Sequence, residues 1–401
     1  MLSLRLARGA HPLVLLRRLL VTAASAGASF MLLCMLGYAA GHPEEADGAP
    51  ERLVWCLVPL AATVQFAVAV ARNDPGTRGG GLTAAGFGPT RGARLAAAST
   101  ALFCGLGSAL ALALFAGVRR FGDGLPTGRL TGHLGRGVHL PLGAVLLLLA
   151  VVPALAAVTS MVALWPRREG GRRPWWRRDA GAAPPPAAVA PPPPGAALVH
   201  IGLPWGIALI AAGIALETYT SRGLGASAAE LLPLPGRSVQ SPPGVILGWL
   251  LAALGLLLAG PGLTQVCGRL LAAGRPGPLR LLAGRALEDE AVRLGRPLGA
   301  LCAVATGACA VVDLYGGALR STGPVAGLGA ALVMVCVTAT ALTSALEVRG
   351  ARRDTGGTLL RIGASNRLLR GAAALRGGVL LAVLAAVTWT VAELLTLPLT
   401  G

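Results

Sequence analysis

Long apolar runs recur along the chain at close intervals, each broken by a short stretch carrying Arg, Gly or Pro. A run of roughly 18 or more apolar residues can cross the hydrocarbon core of a bilayer as a helix. Such runs lie near 19–41, 53–72, 95–118, 141–165, 197–217, 243–266, 298–318, 324–346 and 377–397. The pattern predicts an all-α integral membrane protein with about nine transmembrane helices and no large extracytoplasmic domain. The first run is too long for the core of a signal peptide and further spans follow it, so it reads as an uncleaved first helix.

Composition strengthens this picture. The chain is 54% hydrophobic and only 13% charged, with a mean hydropathy of +0.67. Soluble domains carry about 25% charged residues, so half the expected surface charge is missing. What charge remains is unbalanced, at +18, and every basic residue is Arg. The arginines sit in short clusters between apolar runs rather than in a stripe with interleaved aromatics. That arrangement fits a membrane protein and excludes a nucleic-acid binder.

Arg placement also sets an expected orientation. With the N-terminus cytoplasmic, the inner segments are 1–18, 73–94, 166–196, 267–297 and 347–376. Together with Arg72 at the edge of the second, they hold 27 of the 35 arginines. The positive-inside rule therefore places the N-terminus inside, the C-terminus outside and the acidic stretch 42–47 outside. The expected location is a bacterial cell membrane.

Four segments follow. Residues 1–166 hold four spans. Residues 167–196 form an Arg/Trp/Pro-rich cytoplasmic linker whose Pro run is extended and semi-rigid. Residues 197–266 hold two connecting spans, and 267–401 an interfacial helix plus three spans. Within that last segment Arg285, Asp289 and Arg293 recur every fourth residue and line one helical face.

Two cytoplasmic loops echo one another. Arg78, the Gly-rich turn after it, Leu82, Gly86, Pro89 and Arg91 precede the third span. Arg353, Gly356, Gly357, Leu359, Arg361, Gly363, Ser365 and Arg367 precede the ninth. Each predicts a short helix, a sharp turn at the Gly and then the membrane helix.

On these residues the chain resembles the FtsX-like (MacB-type) permeases of ABC transporters. That family carries a Leu-x-x-Leu-Gly-Ala-Ser/Thr element after the second helix of each core unit. Leu359-Leu360-Arg361-Ile362-Gly363-Ala364-Ser365 matches closely, and Leu82-Thr83-Ala84-Ala85-Gly86-Phe87-Gly88 loosely. The resemblance implies two FtsX-like halves and a separate ABC ATPase subunit as partner. It makes Leu82, Gly86, Pro89, Arg91, Leu359, Arg361, Gly363, Ser365 and Arg367 candidate ATPase-coupling positions. The substrate it implies is amphiphilic. The sequence departs from the family in reaching Gly401 without a tenth span and in lacking an acidic residue before the first Leu-Gly element. A non-transporting accessory or scaffold protein that retains the permease fold is the alternative.

The remaining chemistry is sparse. Without Lys the chain has no P-loop, and no HExxH, GxSxG or Ser/His/Asp arrangement occurs. The expectation is therefore a non-enzyme without catalytic residues, bound metal or cofactor. The seven cysteines all fall within or beside apolar runs, as small packing residues do. Asp313 and Glu393 are the intramembrane acids singled out for a transport role, with Glu217 at the outer end of the fifth span.

Overall fold

The computed structural model describes residues 12–42, 49–73, 89–121, 140–165, 196–221, 232–233, 240–241, 243–274, 277–315, 324–361 and 365–400. Its elements in chain order are α1 (Pro12–Gly41), α2 (Ala49–Arg72), α3 (Pro89–Phe121), α4 (Leu142–Leu164) and α5 (Ala196–Ser221). A two-residue ladder, β1 (Leu232–Pro233) with β2 (Gln240–Ser241), then leads into α6 (Pro243–Ala272). α7 (Pro278–Tyr315), α8 (Pro324–Arg361) and α9 (Asn366–Thr400) complete the chain.

Among the described residues, seven helices are long and apolar enough to cross a membrane: Val14–Gly41, Thr90–Arg120, Leu142–Leu164, Gly202–Thr220, Gly244–Ala272, Val325–Gly350 and Asn366–Leu397. The chain thus has the architecture of a multi-pass membrane protein. The second and seventh expected spans are also helices, but they do not join that group. The apolar stretch described in α2, Cys56–Arg72, is shorter; in α7 the first half carries six acidic or basic side chains from Arg285 to Arg296, and the apolar stretch follows from Leu298 on. Large apolar side chains point outward all along α4, with Leu142 79% and Leu147 69% exposed. In water such a surface would aggregate; in lipid it is already solvated.

The packing order falls into two similar units joined by a tight middle layer. In the first unit α1 packs chiefly on α3, and in the last α7 packs on α9. Both pairs are stitched by polar side chains one turn apart. Ser25 Oγ donates to the Cys104 carbonyl (2.9 Å) and Ser29 shares a hydrogen bond with Ser108 (3.0 Å). Correspondingly, Cys302 Sγ donates to the Leu384 carbonyl (3.9 Å) and Thr306 Oγ1 to the Thr388 carbonyl (3.5 Å). A hydrogen bond between membrane helices is worth only about 0.6 kcal/mol, so these bonds set register more than they hold the bundle.

The middle layer is α6 sandwiched between α5 and α7. Here glycine lets backbones approach closely. A Cβ on Gly260 would lie 2.2 Å from the Gly295 carbonyl oxygen, and one on Gly295 would lie 2.3 Å from Pro261 Cα. On the other face, a Cβ on Gly206 would meet the Gly255 oxygen at 2.7 Å. Such close contact maximises dispersion, the force that remains between helices when the solvent is itself apolar.

Two expected local structures are corrected. The stretch 279–297 is not a separate interfacial helix: α7 runs unbroken through Pro297. Its Ala283, Leu287 and Ala291 are buried, and Ala283 and Leu287 pack with Cys267 and Leu271 of α6 and Ala372 of α9. Likewise α8 does not stop at Gly356 and Gly357 but stays helical to Arg361. Arg352, one turn before those glycines, is anchored on α7 and holds the extension in line.

Candidate functional site at the arginine-rich end of the bundle

α7, α8 and α9 meet around one buried carboxylate. Glu290, only 7% exposed at its side chain, accepts from Arg376 Nη1 of α9 at 2.9 Å. Its other oxygen is in an ion pair with Arg352 Nε of α8. Arg352 also donates from Nη2 to the Ala286 carbonyl one turn earlier on α7 (3.0 Å). One side chain therefore ties three helices at the end where their arginines gather. Breaking a buried pair is costly because it strands a charge, even where forming it gained little.

The face that carries Glu290 also explains the charged stripe. Arg285, Asp289 and Arg293 are all exposed and form the outer face of α7, where Arg285 pairs with Glu288 (3.3 Å). Glu290 lies on the opposite face with Ala283, Leu287 and Leu294. The sequence stripe is the solvated side, and the structural acid is its neighbour. The spacing Ala283, Leu287, Glu290, Leu294 was a readable signal, since it sets an acid on an apolar helical face.

The candidate coupling positions divide between described and undescribed residues. Leu82, Gly86 and Gly363 lie outside the described residues. Pro89 opens α3, as proline favours at the first turn, and Arg91 is exposed. Leu359 lies in the helical extension of α8, and Arg361 ends it, exposed. Ser365 caps α9: its Oγ accepts from the Leu368 amide (3.3 Å) and its carbonyl from the Leu368 and Leu369 amides. Arg367, in the first turn, is exposed. The described part of the second loop is thus a helix end at Arg361 and a capped helix start at Ser365.

The loop echo continues into the membrane. The step of 277 residues from Leu82 to Leu359 and from Gly86 to Gly363 also carries Thr63 onto Thr340. Thr63 Oγ1 donates to the Pro59 carbonyl (2.8 Å), and Thr340 Oγ1 to the Cys336 carbonyl (2.7 Å). Pro59 and Cys336 are the same step apart. The two second helices, α2 and α8, pack against each other, with Thr63 Oγ1 3.8 Å from Cys336 Sγ. α8 lies mainly against α2, α7 and α1 and barely touches α9, its successor in sequence.

Where α8 crosses α1 and α2 the surfaces do not close fully. An apolar crevice of about 270 Å³ remains, walled by Leu20, Ala24 and Gly27 of α1, Phe66 of α2, and Leu332 and Cys336 of α8. Exposed Ala331 and Val335 of α8 stand at its mouth.

The intramembrane acids separate sharply. Asp313 falls on the helical backbone of α7, and nothing is described of its side chain. Glu393 is exposed on α9. Glu217, which sequence depth alone places among the easily solvated outer-end acids, is fully buried. Its Oε1 accepts from Trp249 Nε1 of α6 at 2.8 Å, and its Oε2 has no hydrogen-bond partner among the described residues. Gly248 makes room for it, since a Cβ there would lie 3.2 Å from Glu217 Cβ. Among the described residues no group of three His, Cys, Asp or Glu side chains is placed to hold a metal.

No family model, curated protein or solved structure matches this chain. The class that the fold defines is a multi-pass helical membrane protein with two similarly packed units.

Proposed function

We propose that the chain is the permease subunit of an ABC-type export or mechanotransmission system, driven by a separate ATPase. The observation that carries this reading is the repeat. Two three-helix units share one packing order, and a constant sequence step links their second helices and the Gly-Leu loops that follow. Duplicated units with matched loops suit a partner that itself binds as two similar ATPase subunits, each engaging one loop. In this reading the arginine-rich end is cytoplasmic, and the positions around 82–91 and 359–367 receive the push. Glu290 passes it from the end of α8 to α7 and α9. The cargo is amphiphilic and moves along the lipid-facing seams rather than through a polar channel.

The test is to coexpress the chain with the ABC ATPase encoded beside it, purify the pair, and measure nucleotide-dependent association and ATP hydrolysis. Retention of the ATPase, and its loss in an Arg361→Glu/Arg367→Glu double variant, supports the proposal. Association with no ATPase in any nucleotide state overturns it. The non-transporting scaffold is then the remaining reading of the same fold.

A further inference from the structure

The crevice between α1, α2 and α8 lies within the span of helices that cross the membrane, so what fills it comes from the bilayer. Its walls are apolar, apart from the thiol of Cys336, and they offer a polar ligand nothing to bind. At about 270 Å³ it is far larger than a packing defect in a close-packed core. The wall on α1 runs along one helical face, Gly27, Ala24 and Leu20, and the next position on that face, three residues on, is Arg17. Arg17 is half-buried. Arg18 beside it is turned to α3, its guanidinium 5.2 Å from the Phe103 ring centroid. The crevice therefore has an apolar interior, a mouth at Ala331 and Val335, and a guanidinium one turn beyond its arginine-rich end.

We infer that this crevice is a binding site for one phospholipid of the leaflet on the arginine-rich side. One acyl chain lies in the groove and the phosphate meets Arg17. The bound chain fills the gap at the α8 crossing, where α8 would otherwise lose dispersion contacts. The guanidinium favours a headgroup with net negative charge, because it pairs with phosphate more strongly where water is partly excluded. The site does not depend on coupling to an ATPase and goes beyond the permease proposal.

The full-length protein is reconstituted in nanodiscs that contain a trace of phosphatidylglycerol with a diazirine in one acyl chain. Parallel discs carry the matching phosphatidylcholine probe. After illumination, adducts are mapped by peptide mass spectrometry. The expected result is labelling concentrated on 20–27 and 328–339, several-fold above the equally lipid-facing Leu147 of α4. Ala331→Phe, which fills the mouth from an exposed position, removes that excess while Leu147 labelling stays constant. Ala23→Phe does the same from the opposite wall, should the first variant fold poorly. Arg17→Gln abolishes the preference for the phosphatidylglycerol probe. Even labelling of all exposed leucines, or unchanged labelling of the crevice in both Phe variants, overturns the site. Equal labelling by the two probes in the parent protein overturns the headgroup assignment.

Discussion

The middle layer, α5–α6–α7, and the seam where α8 crosses α1 and α2 are both helix contacts between apolar surfaces, yet they are built on opposite principles. In the middle layer glycines bring backbone against backbone, and a Cβ on Gly260 or Gly295 would fall within 2.3 Å of a neighbouring main-chain atom. At the seam the corresponding small residue, Gly27, faces only the terminal carbons of Leu332, at 3.2 Å. A crevice stays open beside it, and the firm attachment of α8 lies at its end, in the Glu290 cluster. The contrast teaches that the two-unit arrangement is held rigidly at its centre. The helix joining one unit to the other is held by a charged clasp and a soft apolar contact, the combination expected of an element that moves.

Six substitutions would break or sharpen that contrast, measured by thermal unfolding of the purified protein in detergent. The largest effect is expected at Gly260→Ala or Gly295→Ala, where the new methyl meets immovable backbone. Overpacking there costs about 3 kcal/mol or more, and failure to accumulate folded protein is the extreme outcome. Glu290→Gln comes next: it leaves Arg352 and Arg376 without a countercharge, at a cost of about 2 kcal/mol because Arg352 is partly exposed. Combining it with Arg352→Gln should give less than the sum of the two single losses, since both delete the same contact. Trp249→Phe removes the donor to buried Glu217, the one seen among the described residues, with an expected loss of about 1–2 kcal/mol. The smallest effect is expected at Gly27→Ala, within about 0.5 kcal/mol, because the side-chain end of Leu332 can give way. If Gly27→Ala were as harmful as Gly260→Ala, the seam would be as rigid as the middle layer and the contrast would fall.

A further prediction concerns the capped turn alone. Ser365→Ala should destabilise the start of α9 by about 1 kcal/mol, seen as faster amide exchange over its first turn. The Glu290 cluster, whose α9 member Arg376 lies more than two turns beyond that first turn, should keep its protection.

Much of this fold was legible from hydropathy, because a membrane helix must satisfy its own backbone and so announces itself as a long apolar run. The loop echo at Leu82/Gly86 and Leu359/Gly363 was also visible, since those residue types recur in order. Its extension to Thr63 and Thr340 was not, because a Thr in an apolar run has no local signature until a second helix is seen to carry its equivalent. Glu217 and Glu393 have similar sequence surroundings, an acid near the outer end of a span. Only the neighbouring helix separates them, since Trp249 and Gly248 of α6 enclose the first and the second is left exposed among the described residues. Asp289 and Glu290 are adjacent in sequence, and a helical turn of about 100° between them puts one in solvent and the other at the meeting point of three helices.

The sequence by itself determined that this chain is a helical membrane protein with its arginines gathered between the apolar runs. Hydrophobic length and charge are local quantities, and the bilayer acts on each segment separately. Tertiary structure alone decided that α7 and α8 run on as continuous helices past their expected breaks. It also decided that α8 packs on α1 and α2 rather than on its successor α9, and that Glu290 rather than Asp289 is the clasp. Those outcomes depend on which helices meet, and between apolar helices in lipid the choice rests on close fit, which no single segment encodes.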